Sequence, residues 1–545
     1  MATVDTSTQL DATAFSNQRK LDRCSNGVLW ALHDRDGDDG ELWYSTDHGA
    51  TWTENSGAAI AGLANGSIFI DLDDNIHVVW QQSGTGGSRT SGYGYYVRGT
   101  PNAGRTAWTY GTVVTWFNGN TANNVIPDLV AFRRPGSSPT TWDVAIVGNY
   151  DQEINHVLYS RLTIANNGTP TLVTQPDPGV TNATPEYGLI GGDYGGGGDT
   201  LPSIDFNHTG DGKSVAGATP HLYAAWTGAA SGSGKGVRFR KAAYSAGTWT
   251  WGTEREIDST RYIAAAGTEW LNCLFDGTRV IIVGQLFDGT NRDVIIYDRD
   301  VADTTTTPRE QLANASTANR LDYGSATYDS LGNVYIVGQE VASASGSRDL
   351  NVRTWTRATT TLGSIVVVDT STGLTPYASL KRGYGGSRIE LLYTDYAASS
   401  PYNVVFAVAV DLNVAPNAPT LTSPVSGATA DLAIAVTFTA TASDPDAGDT
   451  TSAVYVRRKI GAGAYEYWNA ATAAWQAGEV KNPVGANGVT ATGTAISVAF
   501  AAAKWTNNNT YLWSMATEDA LGVKGNYAAD ATVIARTTAT VTVTA

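Results

Sequence analysis

The sequence predicts an all-β protein, a seven-bladed β-propeller followed by a smaller β-sandwich. Three observations carry that prediction. Only 16% of the 545 residues are charged, 10% are aromatic and 59 are glycine, a mix that suits strands joined by tight turns and is too apolar for disorder. An apolar, strand-like unit recurs along the first three quarters of the chain. At Asn413 the texture changes, with Pro416, Pro419 and Pro424 in quick succession, which reads as a stiff extended linker.

The repeated unit is an apolar run ending in a polar residue: VLWALHD (28–34), IHVVWQQ (76–82), DVAIVGN (143–149), HLYAAWT (221–227), RVIIVGQ (279–285), NVYIVGQ (333–339) and IELLYTD (389–395). These runs are apolar on both faces, as expected of strands sandwiched between neighbouring sheets. A preceding hairpin partner is visible in SIFIDLDDNIHVVWQ and SATYDSLGNVYIVGQ, and further strands such as GELWYST follow. Four antiparallel strands per unit make a propeller blade. Six blades is the alternative, because insertions such as GGDYGGGGDT (191–200) stretch the middle units. The last unit lacks a fourth strand, and the alternating segment from Thr3 to Leu10 is placed to supply it and remove the open edge.

The expected boundaries are therefore a propeller at 1–413, a proline-containing linker at 414–424 and a second domain at 425–545. Runs such as AIAVTFTATA, SAVYVRRKI and TATVTVT alternate, with turn signals between them. That spacing suits a fibronectin type III-like sandwich with one expanded hairpin around Tyr465 to Val480. The run from APTLTSPVSGATADL to VYVRRK, with YLWSMATEDALGVKGNYA, resembles modules appended to minor tail proteins of long-tailed phages infecting actinobacteria. The resemblance implies a virion tail location, other tail proteins as partners, host attachment, and a homotrimer, although no coiled-coil seam is visible.

The net charge is −16. An acidic surface repels phosphate backbones and anionic membranes, so nucleic acid is excluded as a partner and a neutral host cell-surface glycan is favoured. Cys24 and Cys273 are the two cysteines, too few for a disulfide framework. The start MATVDTSTQL has no basic and apolar leader pattern, and no apolar run approaches the ~18 residues of a membrane span.

STDHGATW (45–52) fits S-x-D-x-G-x-x-W and resembles the Asp-box of sialidases and other β-propellers. Ser45, Asp47, Gly49 and Trp52 then hold the turn between a blade's third and fourth strands, a structural role, since in sialidases the box sits away from substrate. Catalytic residues are none: no arginine triad, activated Tyr or Y/F-R-I-P signature assembles, and FRRPG (132–136) lacks the Ile. A sialidase-like hydrolase or lyase acting on host polysaccharide is the competing function. HTGDGKS (208–214) ends like a phosphate loop but lacks its first Gly.

Two candidate sites remain. The polar ends of the repeated strands, Asp34, Gln82, Asn149, Thr227, Gln285, Gln339 and Asp395, reach one face once per blade. There a ring of amides and carboxylates suits sugar hydroxyls. The loop DRDGDDGE (34–41) spaces Asp34, Asp36 and Asp38 as candidate calcium ligands, the one cofactor expected, against a solvated acidic hairpin.

Overall fold

The computed structural model describes the chain except residues 10–11, 16, 37–38, 56–59, 83–92, 119–124, 138–139, 151–155, 175–176, 179–180, 183–187, 192–200, 210, 229–235, 264–268, 291, 301–309, 313–320, 330, 341–348, 371–377, 382–387, 396–399, 412–414, 432–435, 445–450, 501–508, 520–522 and 537–545. It separates into two compact units, Met1–Asp411 and Leu412–Ala545. The end of the first unit falls two residues ahead of the expected one, but the expected linker, 414–424, is not separate: the second unit begins at Leu412, and Thr420–Ser423 is a strand of one of its sheets.

The first unit holds seven antiparallel sheets. Their second strands are Leu29–Asp34, Ile76–Gln82, Thr141–Tyr150, His221–Thr227, Arg279–Phe287, Val334–Glu340 and Arg388–Asp395, one for each repeated run. Each pairs with an inner strand before it and a third strand after it. Burial on both faces explains the unbroken apolar texture: Val78, Val79, Val280, Ile281, Ile282 and Val283 are all fully buried. We number the blades 1 to 7 in chain order and letter their strands A to D from the inside outwards.

The inner strands are Leu21–Arg23, Leu63–Ile70, Asp128–Arg133, Ser203–Phe206, Trp270–Phe275, Leu321–Tyr328 and Ser379–Leu380. Polar side chains on them bond to the backbone of the next blade. Ile70 N donates to Asp22 Oδ2 at 2.7 Å, Ile204 N to Asp128 Oδ2 at 3.1 Å, Phe275 N to Asp205 Oδ2 at 2.9 Å, and Ala326 N to Asn272 Oδ1 at 2.8 Å. Ser67 Oγ donates to Asp128 Oδ1, and Ala378 N donates to Tyr323 O. Between blades 7 and 1, Lys20 N donates to Ser379 Oγ at 3.1 Å. The stitches run through all seven blades and return to the first, so the ring is closed at seven and the six-bladed alternative falls.

Closure also comes from the N-terminus. Ala2–Ser7 pairs antiparallel with Tyr402–Asp411 as the outer strand of blade 7, with a bulge between Thr3 and Asp5. Val4 is buried in an apolar seam with Leu392, Val404 and Phe406 of blade 7 and Leu21, Leu29 and Ala31 of blade 1. Blades thus meet through apolar faces while their inner edges meet through hydrogen bonds.

One buried histidine gives the ring a pH dependence. His77 is fully buried in strand B of blade 2, with Nε2 3.1 Å from Asp71 Oδ2 and Nδ1 2.7 Å from the Tyr96 hydroxyl. Burial holds the imidazole below its usual range despite the nearby Asp71. Burial alone would raise Asp71, but His77 and the Asn75 contacts outweigh it and hold that carboxyl low. A group depressed in the folded state contributes stability above its unfolded pKa and loses it as pH falls towards the folded value. Melting at pH 5 is therefore expected below melting at pH 7.5, and His77→Gln is expected to narrow that gap, which differential scanning calorimetry reads directly.

The second unit is a two-sheet sandwich. One sheet orders Thr420–Ser423, Val436–Thr441, Ala495–Phe500 and Val489–Thr492. The other orders Ala428–Asp431, Ala531–Arg536, Thr510–Glu518, Ala453–Ile460, Glu466–Asn469 and Ala474–Gln476. Phe438, Val498 and Phe500 of the first face Val456, Trp513 and Met515 of the second across one core, with Phe438 and Trp513 ring centroids 4.1 Å apart. The pairing is antiparallel except between Ala428–Asp431 and Ala531–Arg536, which run parallel, and Glu466–Asn469 pairs with Ala474–Gln476 as a hairpin within the stretch from Tyr465 to Val480.

Candidate functional site

The expected ring of polar strand ends does not face solvent. Asp34, Asn149, Thr227, Gln285 and Gln339 are buried, and Gln82 and Asp395 are half-buried. Ile126 N donates to Asn149 Oδ1 at 2.7 Å. Gln285 bridges to blade 6, its Nε2 donating to Asp322 Oδ1 at 2.5 Å and its Oε1 accepting from Leu321 N at 2.6 Å. Tyr95 donates to Gln82 Oε1 at 3.0 Å. Asn149, Gln285 and Gln82 thus spend hydrogen bonds on backbone and side-chain partners inside the blades. The correction has a simple cause: a buried strand end needs hydrogen bonds as much as a ligand does.

The axis on that face is crossed by the chain itself. Described residues between Ala12 and Lys20 are all buried. Asn17 Nδ2 donates to Pro202 O at 2.9 Å, Gln18 Nε2 to Pro127 O at 3.1 Å, Arg19 Nη2 to Ile204 O at 2.9 Å, and Arg19 Nη1 also to Leu129 O. Lys20 Nζ donates to Gly66 O and to Gln18 Oε1. The Arg19 guanidinium lies 3.5 Å from Asp128 and 3.7 Å from Asp205. Burial alone would raise Asp205, but His208, the Arg19 charge and the Phe275 amide hold its carboxyl below the usual range. The segment serves as a polar plug, supplying donors to inner strand edges that have no further strand to pair with.

The Asp-box occupies the turn between strands C and D of blade 1. Thr51 N and Thr51 Oγ1 donate to Asp47 at 2.8 and 2.5 Å, Ser45 Oγ donates to Asp47 Oδ1, and Gly49 N donates to Ser45 Oγ. Gly49 has φ 88°, and a Cβ there would stand 2.1 Å from the Phe406 ring of blade 7. Trp52 packs on the same ring at 5.4 Å. The box therefore ties a turn and a blade seam together. In the acidic hairpin, Asp39 N donates to Asp36 Oδ1, Asp34 is buried, and Asp38 lies outside the described residues.

An open cleft lies on the other face, where the A–B turns emerge. This cleft, of about 390 Å³, is lined by Leu72 of blade 2, Arg133 to Ser137 and Thr140 of blade 3, and Lys213 to Val215 of blade 4. Among the described residues, three cations and no carboxylate line it. Arg134 is held rigidly: it donates to both oxygens of Asp143 at 2.9 and 2.7 Å and stacks over Tyr244 at 4.7 Å. Arg133 ends its inner strand exposed, with a long contact to Thr140 Oγ1. Lys213 reaches across to donate to Arg23 O in blade 1. Its turn is shaped by Asp211, which accepts from the Lys213 and Ser214 amides at 2.8 Å each. Among the described residues neither Arg133 nor Lys213 is in an ion pair, so the cleft presents positive charge on a chain of net charge −16. Sequence reading singled out both segments for other motifs, FRRPG and HTGDGKS, without placing them side by side.

No family model and no curated protein matches this chain. Solved structures do, at low identity. An α-L-arabinanase of Penicillium chrysogenum complexed with arabinobiose is 10% identical, covering 75% of this chain and 97% of its own, with a TM-score of 0.38. An α-L-arabinofuranosidase of Fusarium graminearum in complex with an iminosugar inhibitor is 12% identical, covering 73% and 98%, with a TM-score of 0.37. A WD40 domain of SCAP from fission yeast is 9% identical, covering 73% and 94%, with a TM-score of 0.33. At these scores neither reaction nor ligand transfers to this chain.

Proposed function

We propose that this chain is a binding protein, a host-attachment component of a phage tail whose propeller holds an anionic group of a cell-surface glycan in the Arg133–Lys213 cleft. The observation that carries the ligand class is the cleft itself, with two cations outside any described ion pair beside an anchored third and no acid among its described lining residues. Support for the virion location is the resemblance of the C-terminal run alone. The sequence favoured a neutral glycan from net charge, but a local positive field decides what a cleft attracts.

Binding is favoured over hydrolysis because the axial carboxylates Asp22, Asp128 and Asp205 all accept backbone N–H groups of a neighbouring blade, leaving them as braces rather than reacting groups. Oligogalacturonate, an acidic probe, is expected to bind with an affinity that falls as salt rises, while dextran is expected not to bind. Arg133→Gln with Lys213→Gln is expected to weaken oligogalacturonate binding at least ~10-fold, about 1.4 kcal/mol, by isothermal titration calorimetry. Unchanged affinity in that variant would remove the cleft from the proposal, and sugar release from host wall would replace binding with catalysis.

A further inference from the structure

We infer that Asp5, His33 and Glu41 form a transition-metal site that pins the N-terminal closing strand to blade 1. Asp5 belongs to the closing strand, His33 to strand B of blade 1 and Glu41 to strand C, where it stands directly opposite His33. One ligating atom from each lies within 4.8 Å of the others. His33 Nε2 is 3.3 Å from Asp5 Oδ2. The bulge between Thr3 and Asp5 falls at this point of the strand, and bulges re-aim side chains.

The independent sign of a ligand is the imidazole. His33 is completely buried; its Nδ1 has no hydrogen-bond partner, and its Nε2 meets only Asp5 Oδ2, at 3.3 Å. A buried polar side chain without such bonds is costly unless something else meets it. Two carboxylates crowded against it carry negative charge that a cation would balance. Asp5 remains about one-fifth exposed at its side chain, which leaves a path for an ion. Of the oxygens on Glu41, one faces Arg35 and the other accepts from Trp43 Nε1 at 3.2 Å. Arg35 is more than half exposed, so its guanidinium is free to swing into water when a metal takes its place.

One imidazole and two carboxylates match zinc or a similar divalent transition ion, and the imidazole disfavours calcium. Zinc–ligand distances of about 2.0–2.2 Å require the three donors to draw in slightly. The site is distinct from the expected Asp34, Asp36 and Asp38 loop, although both draw on the same hairpin. Its consequence is mechanical: an ion here joins the chain's start to blade 1 across the seam that closes the ring, as a buckle would.

The experiment strips the full-length protein with EDTA, dialyses it against micromolar zinc, and measures bound metal and melting temperature. One zinc per chain is expected, with melting raised by roughly 3 °C when free zinc is about 100 times Kd. Both effects are expected to vanish in His33→Gln and in Asp5→Asn. Because His33 is buried and its replacement can unfold the blade, the partly exposed Asp5→Asn is the deciding variant, checked for native circular dichroism. Stoichiometric zinc that survives Asp5→Asn, or no zinc retained by the wild type, overturns the proposal.

Discussion

An Arg19→Met variant is expected to lose about 3–5 kcal/mol of folding stability, the range for removing one partner from a buried charge network. Methionine roughly keeps the side chain's length but none of its donors. The carbonyls of Leu129 and Ile204 lose their guanidinium, and Asp128 and Asp205 lose a cation 3.5 and 3.7 Å away. Those carbonyls sit on inner strands whose free edge faces the axis, with no strand beyond to supply N–H groups. Arg19 is buried, with about 4% of its side chain exposed, so water does not readily replace what is lost. Urea unfolding of both proteins measures the difference. A loss below about 1 kcal/mol would mean that the plug is loosely held and that the axis is more open than its geometry indicates. Arg133→Gln, at an exposed position, provides the contrast, with a change within about 0.5 kcal/mol.

The same plug shows where sequence reading reaches its limit. The seven second strands were legible because burial on two faces removes polar residues from a strand, and a periodic absence is easy to see. The stretch TAFSNQRK (13–20) carries the opposite texture and reads as a surface loop, yet it crosses the propeller axis. Its Asn, Gln, Arg and Lys are buried because their partners are carbonyls on blades 2, 3 and 4, and nothing local announces those partners. Gln285 and Gln82 make the same point in reverse. Both end an apolar run with an amide, but one bridges two blades in the interior and the other stays half-buried beside Tyr95.

Convergence was the second illegible element. Arg133 and Lys213 lie in turns of adjacent blades about 80 residues apart in the chain, and only the ring brings these turns to one cleft. Asp5, His33 and Glu41 meet for a related reason, since the N-terminal strand joins blade 7 and ring closure sets it against blade 1. By contrast the Asp-box was legible because the hydrogen bonds of Ser45, Asp47 and the Trp52 indole are local, made within Ser45 to Trp52. Local chemistry leaves a motif, whereas chemistry assembled by ring closure leaves isolated residues.

That closure is open to direct attack. Val4→Asp is expected to cost at least about 3 kcal/mol, because it places a carboxylate without a partner in an apolar seam. Val4 is about 3% exposed and faces Leu392, Val404 and Phe406 on one side of the seam and Leu21, Leu29 and Ala31 on the other. Asp5, one residue on beyond the bulge, is half-buried and polar, so Asp5→Asn is expected to cost far less in metal-free buffer. The pair separates apolar closure from polar closure within one strand. Limited proteolysis reads the outcome, with the N-terminal segment cut early in Val4→Asp and protected in Asp5→Asn. Equal protection in the two variants would show that blade 7 holds without its borrowed strand, and that the inner stitch between Lys20 and Ser379 suffices to close the ring.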